Sequence, residues 1–150
     1  ATMFKAKADA KIPGKRVFTA ATSARMRQLM RMIVVDGTGS QADALGYRVG
    51  GKTGSAEKPG VGGYSRNLVV STFAAAFPMD NPRYVVLAML DEPQGTEASS
   101  FQRTAGYTAA PVVRKTITRI GPLMGIIPDM KRDVDVSELM PLLWKAKGEQ

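Results

Sequence analysis

A run of glycines in the middle of the chain most constrains what the chain can fold into. Residues 46–63 include seven glycines and one proline. Glycine costs a helix conformational entropy and proline removes a helical hydrogen bond, so this stretch cannot form a stable helix. We therefore predict a glycine-rich strand over residues 47–55, with a loop after it.

The segment before the glycine run predicts an amphipathic helix over residues 22–35. Thr22 or Ser23 is the predicted N-cap, and Gly37 the stop. Apolar residues recur there at the i, i+3, i+4, i+7, i+8 spacing of a helix: Met26, Leu29, Met30, Ile33 and Val34. Three arginines lie off this stripe, where we expect a solvated face: Arg25, Arg27 and Arg31.

Two apolar runs after the glycines predict strands over residues 67–77 and 84–91. The turn residues between them predict a hairpin of two buried strands: Pro78, Asp80, Asn81 and Pro82. A second helix is predicted over residues 107–120, with Pro111 in its first turn.

The fold class that follows is α+β, with an antiparallel sheet of three strands flanked by helices. The 107–120 helix is expected on one face of the sheet, and the 22–35 helix on the other face or near its edge. Residues 1–16 are expected as an extended lead-in and residues 126–150 as a polar tail. Within that tail, Ser137 would cap a short helix that runs through Trp144.

Composition excludes several kinds of chemistry. The 150 residues include no Cys and no His, which excludes a disulfide framework, a thiol nucleophile, a histidine base and nearly every zinc site. We therefore expect no metal and no cofactor.

The formal net charge of +8 falls within residues 1–66, which hold 12 basic and 4 acidic residues. No run approaches the roughly 20 apolar residues that a membrane-spanning helix needs.

Two motifs compete for the same lysine, and the first is a phosphate-binding loop. Residues 46–53, GYRVGGKT, satisfy the G-x-x-x-x-G-K-[ST] pattern. A phosphate loop needs a buried strand before it and a helix that begins at the Lys-Thr pair. Polar residues precede this motif and glycines follow it, which disfavours a nucleotide-binding protein.

A basic nucleic-acid-binding module built from residues 1–66 is a second alternative, although few aromatic residues accompany the basic residues there.

The other motif is Lys52-Thr53-Gly54-Ser55, placed on the predicted strand. Strand alternation puts the hydroxyls of Thr53 and Ser55 on one face and Lys52 on the other. A substrate carboxylate can accept hydrogen bonds from both hydroxyls, while Lys52 supplies positive charge. Gly54 lets a substrate backbone approach closely, and the Ser55 N–H is a candidate oxyanion donor.

Four stretches in order carry a family resemblance: VGGKTGSAEK (49–58), AAAFP (74–78), YVVLAMLDEP (84–93) and TAGYTAAPV (104–112). Together they resemble the C-terminal part of class B penicillin-binding proteins, best the division-specific FtsI-like peptidoglycan D,D-transpeptidases. The resemblance implies a β-lactamase/transpeptidase-like, serine penicillin-recognising domain. It makes the chain a single partial domain, with the sheet and helices in residues 17–125.

The resemblance also implies roles for individual residues. Such sites combine S-x-x-K, S-x-N and K-T-G boxes, and this chain has the third. Lys52 would hold the substrate carboxylate and tune the proton network, and Thr53 and Ser55 would bind that carboxylate. The Ser55 backbone N–H would complete the oxyanion hole, and Tyr64, in the loop after the motif strand, would flank the acyl pocket.

The other two boxes have no convincing match. The only S-x-x-K, residues 55–58, overlaps the K-T-G box on a strand, and the S-x-N letters at residues 65–67 fall in the loop after it. The nucleophile is therefore expected before residue 1, and the chain alone is expected to be inactive. The resemblance places the parent protein at the periplasmic face of the inner membrane, with an N-terminal anchor, divisome partners, stem-peptide substrates and β-lactam inhibitors. Apolar surface left uncovered in the segment would favour self-association.

Overall fold

The computed structural model describes residues 14–60 and 62–143, in which two α-helices flank one three-stranded antiparallel sheet. The helices are α1 (Ala20–Asp36) and α2 (Ala109–Leu123), and the strands are β1 (Gly50–Gly60), β2 (Gly63–Phe77) and β3 (Tyr84–Asp91), in the order β1-β2-β3. Short 3-10 helices occupy Ser40–Ala42, Glu97–Ser99 and Ser137–Leu142. None of the described helices is long and apolar enough to cross a membrane.

The β1–β2 hairpin is longer than the sequence predicts. β1 begins three residues later than the predicted 47–55 strand but continues to Gly60, and β2 begins at Gly63 rather than residue 67. The proline and glycines expected to form a loop therefore lie in a ribbon, where an edge strand tolerates Pro59. β3 pairs with β2 only over residues 70–77, so the far end of this ribbon has two strands.

The hydrophobic core lies between α2 and one face of the sheet, as predicted. Phe73 and Phe77 from β2 are fully buried against Val113 and Ile117 from α2. Pro111 lies in the first turn of α2, where its missing N–H costs no helical hydrogen bond. Alternate residues of β3 pack against the same core: Tyr84, Val86, Ala88 and Leu90.

The opposite face of β3 is uncovered, so the prediction of two fully buried strands was wrong for this strand. Val85, Leu87 and Met89 are 78%, 65% and 66% exposed. Strict alternation along β3 puts these three side chains on the face away from α2. An apolar sheet face of this kind favours association, so the expected self-association of the chain stays a prediction.

α1 begins earlier than predicted, and its buried face matches the predicted stripe only in part: Val34 is buried as predicted. Its N-cap is Thr19, whose hydroxyl oxygen accepts a hydrogen bond from the Thr22 N–H at 3.0 Å, whereas Gly37 ends the helix as predicted. Met26 is 51% exposed, although it belongs to the predicted buried stripe. Arg31, predicted on the solvated face, is one of the buried residues of α1. The helix packs against β1, one of the two edge strands of the sheet.

Arg31 is buried because it joins three separate parts of the chain. Its guanidinium donates to the Val49 carbonyl oxygen at 2.9 Å, to Asp43 at 2.8 Å and to Asp133 through two nitrogens. Burial alone would lower the pKa of Arg31, but the hydrogen bonds to Asp133 and Asp43 raise that pKa above its ordinary value. The periodicity of α1 gave no sign of this cluster, because the two carboxylates lie outside the helix.

The polar tail packs back onto α1. Gln28 donates to the Asp135 carbonyl oxygen at 2.9 Å, and Arg25 pairs with Glu138 at 3.1 Å. The short helix that begins at Ser137 has no side-chain cap and ends at Leu142. Trp144, the predicted end of that helix, lies outside the described residues. The predicted lead-in also lies outside them except for residues 14–16, which form neither helix nor strand.

We predict that Arg31→Met destabilises the chain by about 3 kcal/mol, because it leaves two carboxylates and the Val49 carbonyl without their buried partner. Urea unfolding followed by circular dichroism measures the change. Arg25→Met is the matched control on the same helix, since its ion pair with Glu138 is exposed and is expected to contribute less than about 1 kcal/mol. Equal losses in the two variants would contradict the buried anchor.

The Asp80 carboxylate makes the stability of the chain depend on pH. Asp80 accepts a hydrogen bond from Arg48 at 2.7 Å and pairs with Arg132 at 2.6 Å. Burial alone would raise the pKa of Asp80, but the hydrogen bond from Arg48 and the charges of both arginines lower that pKa below its ordinary value. A lowered folded-state pKa stabilises the fold above the unfolded pKa of about 4, and this contribution is lost as the pH falls through the folded pKa.

We therefore predict that the free energy of unfolding falls as the pH is lowered from about 5 to about 3, and that Asp80→Asn reduces this fall. Urea unfolding at a series of pH values measures both slopes. Asp135, whose pKa is lowered by hydrogen bonds from Ser137, remains in both proteins and supplies part of the residual slope. An unchanged slope in the variant would refute the assignment to Asp80.

Candidate functional site

The K-T-G residues line a cleft of about 680 Å³ that three segments of the chain enclose. Residues 52–55 of β1 form one wall. Residues 104–107, just before α2, form a second wall, and the loop after α1 forms the third with Gly37, Thr38, Ser40 and Gln41. The cleft thus brings the predicted strand motif together with two loops that the sequence analysis left without a function.

Close packing fixes the loop after α1 beside β1. The Gly39 backbone lies on the Phe73 ring, since a Cβ at position 39 would be 2.9 Å from a ring carbon. Phe73 is in turn the cross-strand partner of Thr53. A Cβ at Gly106 would overlap the Thr38 carbonyl oxygen, so the two loops also touch each other. Glycine is therefore required at positions 39 and 106 for these close approaches.

The Lys52 ammonium reaches the same cleft as the hydroxyls. Its Nζ donates to the Thr53 carbonyl oxygen at 2.8 Å and to Thr53 Oγ1 at 3.3 Å. Strand alternation predicts Lys52 on the opposite face from Thr53, but its side chain is long enough for Nζ to reach these two oxygens. The arrangement places one positive charge beside a row of hydroxyl groups.

The two hydroxyls of the motif each contact a residue from another segment. Thr53 Oγ1 lies 3.1 Å from Thr38 Oγ1, and Ser55 Oγ accepts a hydrogen bond from the Ala105 N–H at 3.0 Å. Gly54 lies between them, and a Cβ there would lie 2.5 Å from Thr72 Oγ1 on the neighbouring strand. The cleft can therefore present two hydroxyls and one ammonium to an anionic group, which is the arrangement a carboxylate needs.

Sequence reasoning missed Thr38 and the Ala105 amide as parts of the site. No site role was predicted for Thr38, and Ala105 was named only within the resemblance stretch at residues 104–112. The signal was available in the glycines at positions 37, 39 and 106, which mark close backbone approaches.

Tyr64 lies elsewhere, and its predicted loop position was wrong. It belongs to β2, opposite Pro59, and is 76% exposed. It is not among the residues that line the cleft. Its assignment to an acyl pocket stays a prediction.

The two sequences that match the letters of the S-x-x-K and S-x-N boxes lie in strands and not at the start of a helix. Residues 55–58 lie in β1, where Lys58 pairs with Asp91 and Glu92. Hydrogen bonds to these two carboxylates raise the pKa of Lys58. Residues 65–67 lie in β2, and not in the loop predicted for them. The S-x-x-K sequence therefore lacks the helical backbone that puts a serine and a lysine one turn apart.

The alternative functions find no support in this geometry. Lys52 and Thr53 lie inside β1, so no helix N-terminus is available to a phosphate group at the GYRVGGKT sequence. Two of the basic residues counted toward a nucleic-acid surface, Arg31 and Arg48, are buried in ion pairs. Across residues 14–60 and 62–143, no three acidic side chains come together as a metal site would require.

Comparisons with known proteins agree on one family. The family model described as penicillin binding protein transpeptidase domain matches residues 1–118. A probable peptidoglycan D,D-transpeptidase FtsI from Caulobacter vibrioides is 45% identical over 122 residues, covering 75% of this chain and 21% of the relative. The stage V sporulation protein D of Bacillus subtilis is 36% identical over 122 residues, covering 81% of this chain and 18% of the relative. The chain thus spans about a fifth of the length of these curated relatives.

Solved structures confirm the predicted fold class. The transpeptidase domain of penicillin-binding protein 3 from Burkholderia pseudomallei superposes with a TM-score of 0.73 at 31% identity, covering 85% of this chain and 37% of that domain. Penicillin-binding protein 3 from Mycobacterium tuberculosis, complexed with ampicillin, gives a TM-score of 0.64 at 30% identity and covers 81% of this chain and 28% of its own.

We predict that Gly106→Ala separates the two loops of the cleft, because its new Cβ overlaps the Thr38 carbonyl oxygen. The expected cost is about 1–3 kcal/mol of stability, as for other overpacked sites. Hydrogen exchange should show faster exchange of the Ala105 amide, since its bond to Ser55 is broken. Gly14→Ala is the control, since a Cβ there meets nothing within 4 Å. Unchanged Ala105 protection would show that the loops do not need this contact.

Proposed function

The chain belongs to the penicillin-binding protein transpeptidase family, and on that premise we propose that it supplies the carboxylate-binding wall of a peptidoglycan D,D-transpeptidase. The observation that carries this proposal is the convergence of Lys52, Thr53 and Ser55 in one cleft. A stem peptide ends in a carboxylate, and these groups can hold such an anion through charge and hydroxyl hydrogen bonds.

The reaction proposed for the parent protein is serine acyl transfer. A serine oxygen attacks the carbonyl carbon of the penultimate D-alanine, and the terminal D-alanine leaves with the proton that the serine gives up. The amine of a neighbouring stem peptide then attacks the ester carbonyl of the acyl-enzyme. The cross-linking amide bond forms, the bond to the serine oxygen breaks, and that oxygen takes up the proton that the amine loses. β-Lactams would acylate the same serine, as their ring amide is opened by that oxygen.

Three residues of the motif have a part in this reaction. Thr53 and Ser55 donate hydrogen bonds to the substrate carboxylate, which fixes the scissile carbonyl relative to the nucleophile. The Lys52 ammonium supplies positive charge and takes part in the proton network. The Ser55 N–H is one of two oxyanion donors, and the N–H of the nucleophilic serine is the other.

The nucleophile is proposed to lie in a part of the parent protein beyond this chain, whose only S-x-x-K sequence lies on β1. The 150-residue chain alone is therefore expected to have no transpeptidase activity, because a bound carboxylate without a nucleophile does not react.

By its similarity to FtsI proteins, we place the parent protein in septal wall synthesis. There it would be anchored in the inner membrane, face the periplasm and contact divisome partners.

Covalent labelling of the full-length parent protein by a fluorescent penicillin tests the proposal. Lys52→Ala is expected to slow labelling at least about 100-fold, since the cleft loses its positive charge. Lys58→Ala is the matched control, because Lys58 pairs with Asp91 and Glu92 away from the cleft, and its rate is expected to stay within about twofold. Wild-type labelling of the Lys52 variant would refute the proposal, as would covalent labelling of the 150-residue chain alone.

A further inference from the structure

The Thr53 hydroxyl is surrounded by groups that determine which way its hydrogen points. Lys52 Nζ, which can only donate, lies 3.3 Å from Thr53 Oγ1. Thr38 Oγ1 lies 3.1 Å from the same atom, and either hydroxyl can be the donor. If Thr38 donates, Thr53 Oγ1 accepts two hydrogen bonds and its own hydrogen is left for a third partner.

We propose that Thr38 is a positioning residue, which donates to Thr53 and so turns the Thr53 hydroxyl into a donor toward the substrate carboxylate. The inference rests on the proposed function. A carboxylate can only accept, so its arrival in the cleft favours the direction Thr38 to Thr53 to carboxylate over the reverse. Hydrogen bonds aligned in one direction strengthen one another, so the two hydrogen bonds from Thr38 to Thr53 and from Thr53 to the carboxylate are together stronger than either would be alone.

Ser55 is arranged in the same way, which supports the inference. Its Oγ accepts the Ala105 N–H at 3.0 Å, so the hydroxyl hydrogen points away from that amide. With Thr38 as the donor to Thr53, both hydroxyls of the motif accept a hydrogen bond from outside β1. Each retains one hydrogen for a ligand in the cleft.

Thr38 is also held firmly enough for this role. Its two neighbours are glycines, of which Gly39 rests on the Phe73 ring. Its carbonyl oxygen packs against Gly106, in the loop that supplies the Ala105 amide. Contacts on two sides therefore restrain the Thr38 backbone, and a restrained hydroxyl loses less entropy when the substrate binds.

The test compares acylation of the full-length parent by benzylpenicillin and by its methyl ester, each measured in competition with a fluorescent penicillin. Thr38→Val is expected to lower the second-order acylation rate constant for the free acid about tenfold, since the carboxylate loses an oriented charged hydrogen bond. The rate constant for the neutral ester is expected to change less than about threefold. Thr38→Ser, which keeps the hydroxyl, is expected to stay within about twofold of wild type for both compounds.

Thr118→Val is the matched control, because Thr118 is exposed on α2 and its hydroxyl donates to the Arg114 carbonyl oxygen within its own helix. The acid-to-ester ratio is measured within each variant, so partial unfolding cancels from it. An unchanged ratio in Thr38→Val, or a Thr38→Ser that loses as much as the valine variant, would overturn the inference while leaving the proposed function intact. A wild-type protein with no preference for the free acid would overturn both.

Discussion

Arg31 is the interaction on which the rest of the structure depends. Its buried guanidinium joins α1, the loop at Asp43, the carbonyl before β1 and the tail at Asp133. Removing such a charge from water is costly, and only the hydrogen bonds to carboxylates and carbonyl offset that cost. Because Val49 directly precedes β1, the same side chain that fixes α1 also fixes where the K-T-G strand begins.

The cleft is formed by close approaches of the backbone more than by bulky side chains. Glycines let the loop after α1 lie on Phe73 and the loop before α2 lie on Thr38. The strand motif is therefore supported from both sides by main chain, whose position varies less than that of a long side chain. A site that must hold an anion in one orientation benefits from this kind of support.

How much the sequence predicts depends on how local the determining contacts are. β3 was predicted at residues 84–91 with the bounds the structure gives, because turn residues flank an alternating apolar run. The strand carrying Lys52–Ser55 was also predicted, but its true end at Gly60 depends on pairing with β2 across the hairpin. Arg31 was misplaced because its acidic partner Asp133 lies 102 residues away. Thr38 was missed because a polar loop residue gains meaning only from what folds against it.

The distance in sequence between Arg31 and Asp133 also determines when the hydrogen bonds of Arg31 can be completed during synthesis. A ribosome synthesises α1, the K-T-G strand and α2 before it reaches the tail, and closing a loop of 102 residues costs chain entropy that only the finished fold offsets. Until then the Arg31 guanidinium lacks one of its two carboxylates. The tail, which is made after α1, the K-T-G strand and α2, therefore completes the anchor that holds α1 beside the start of β1.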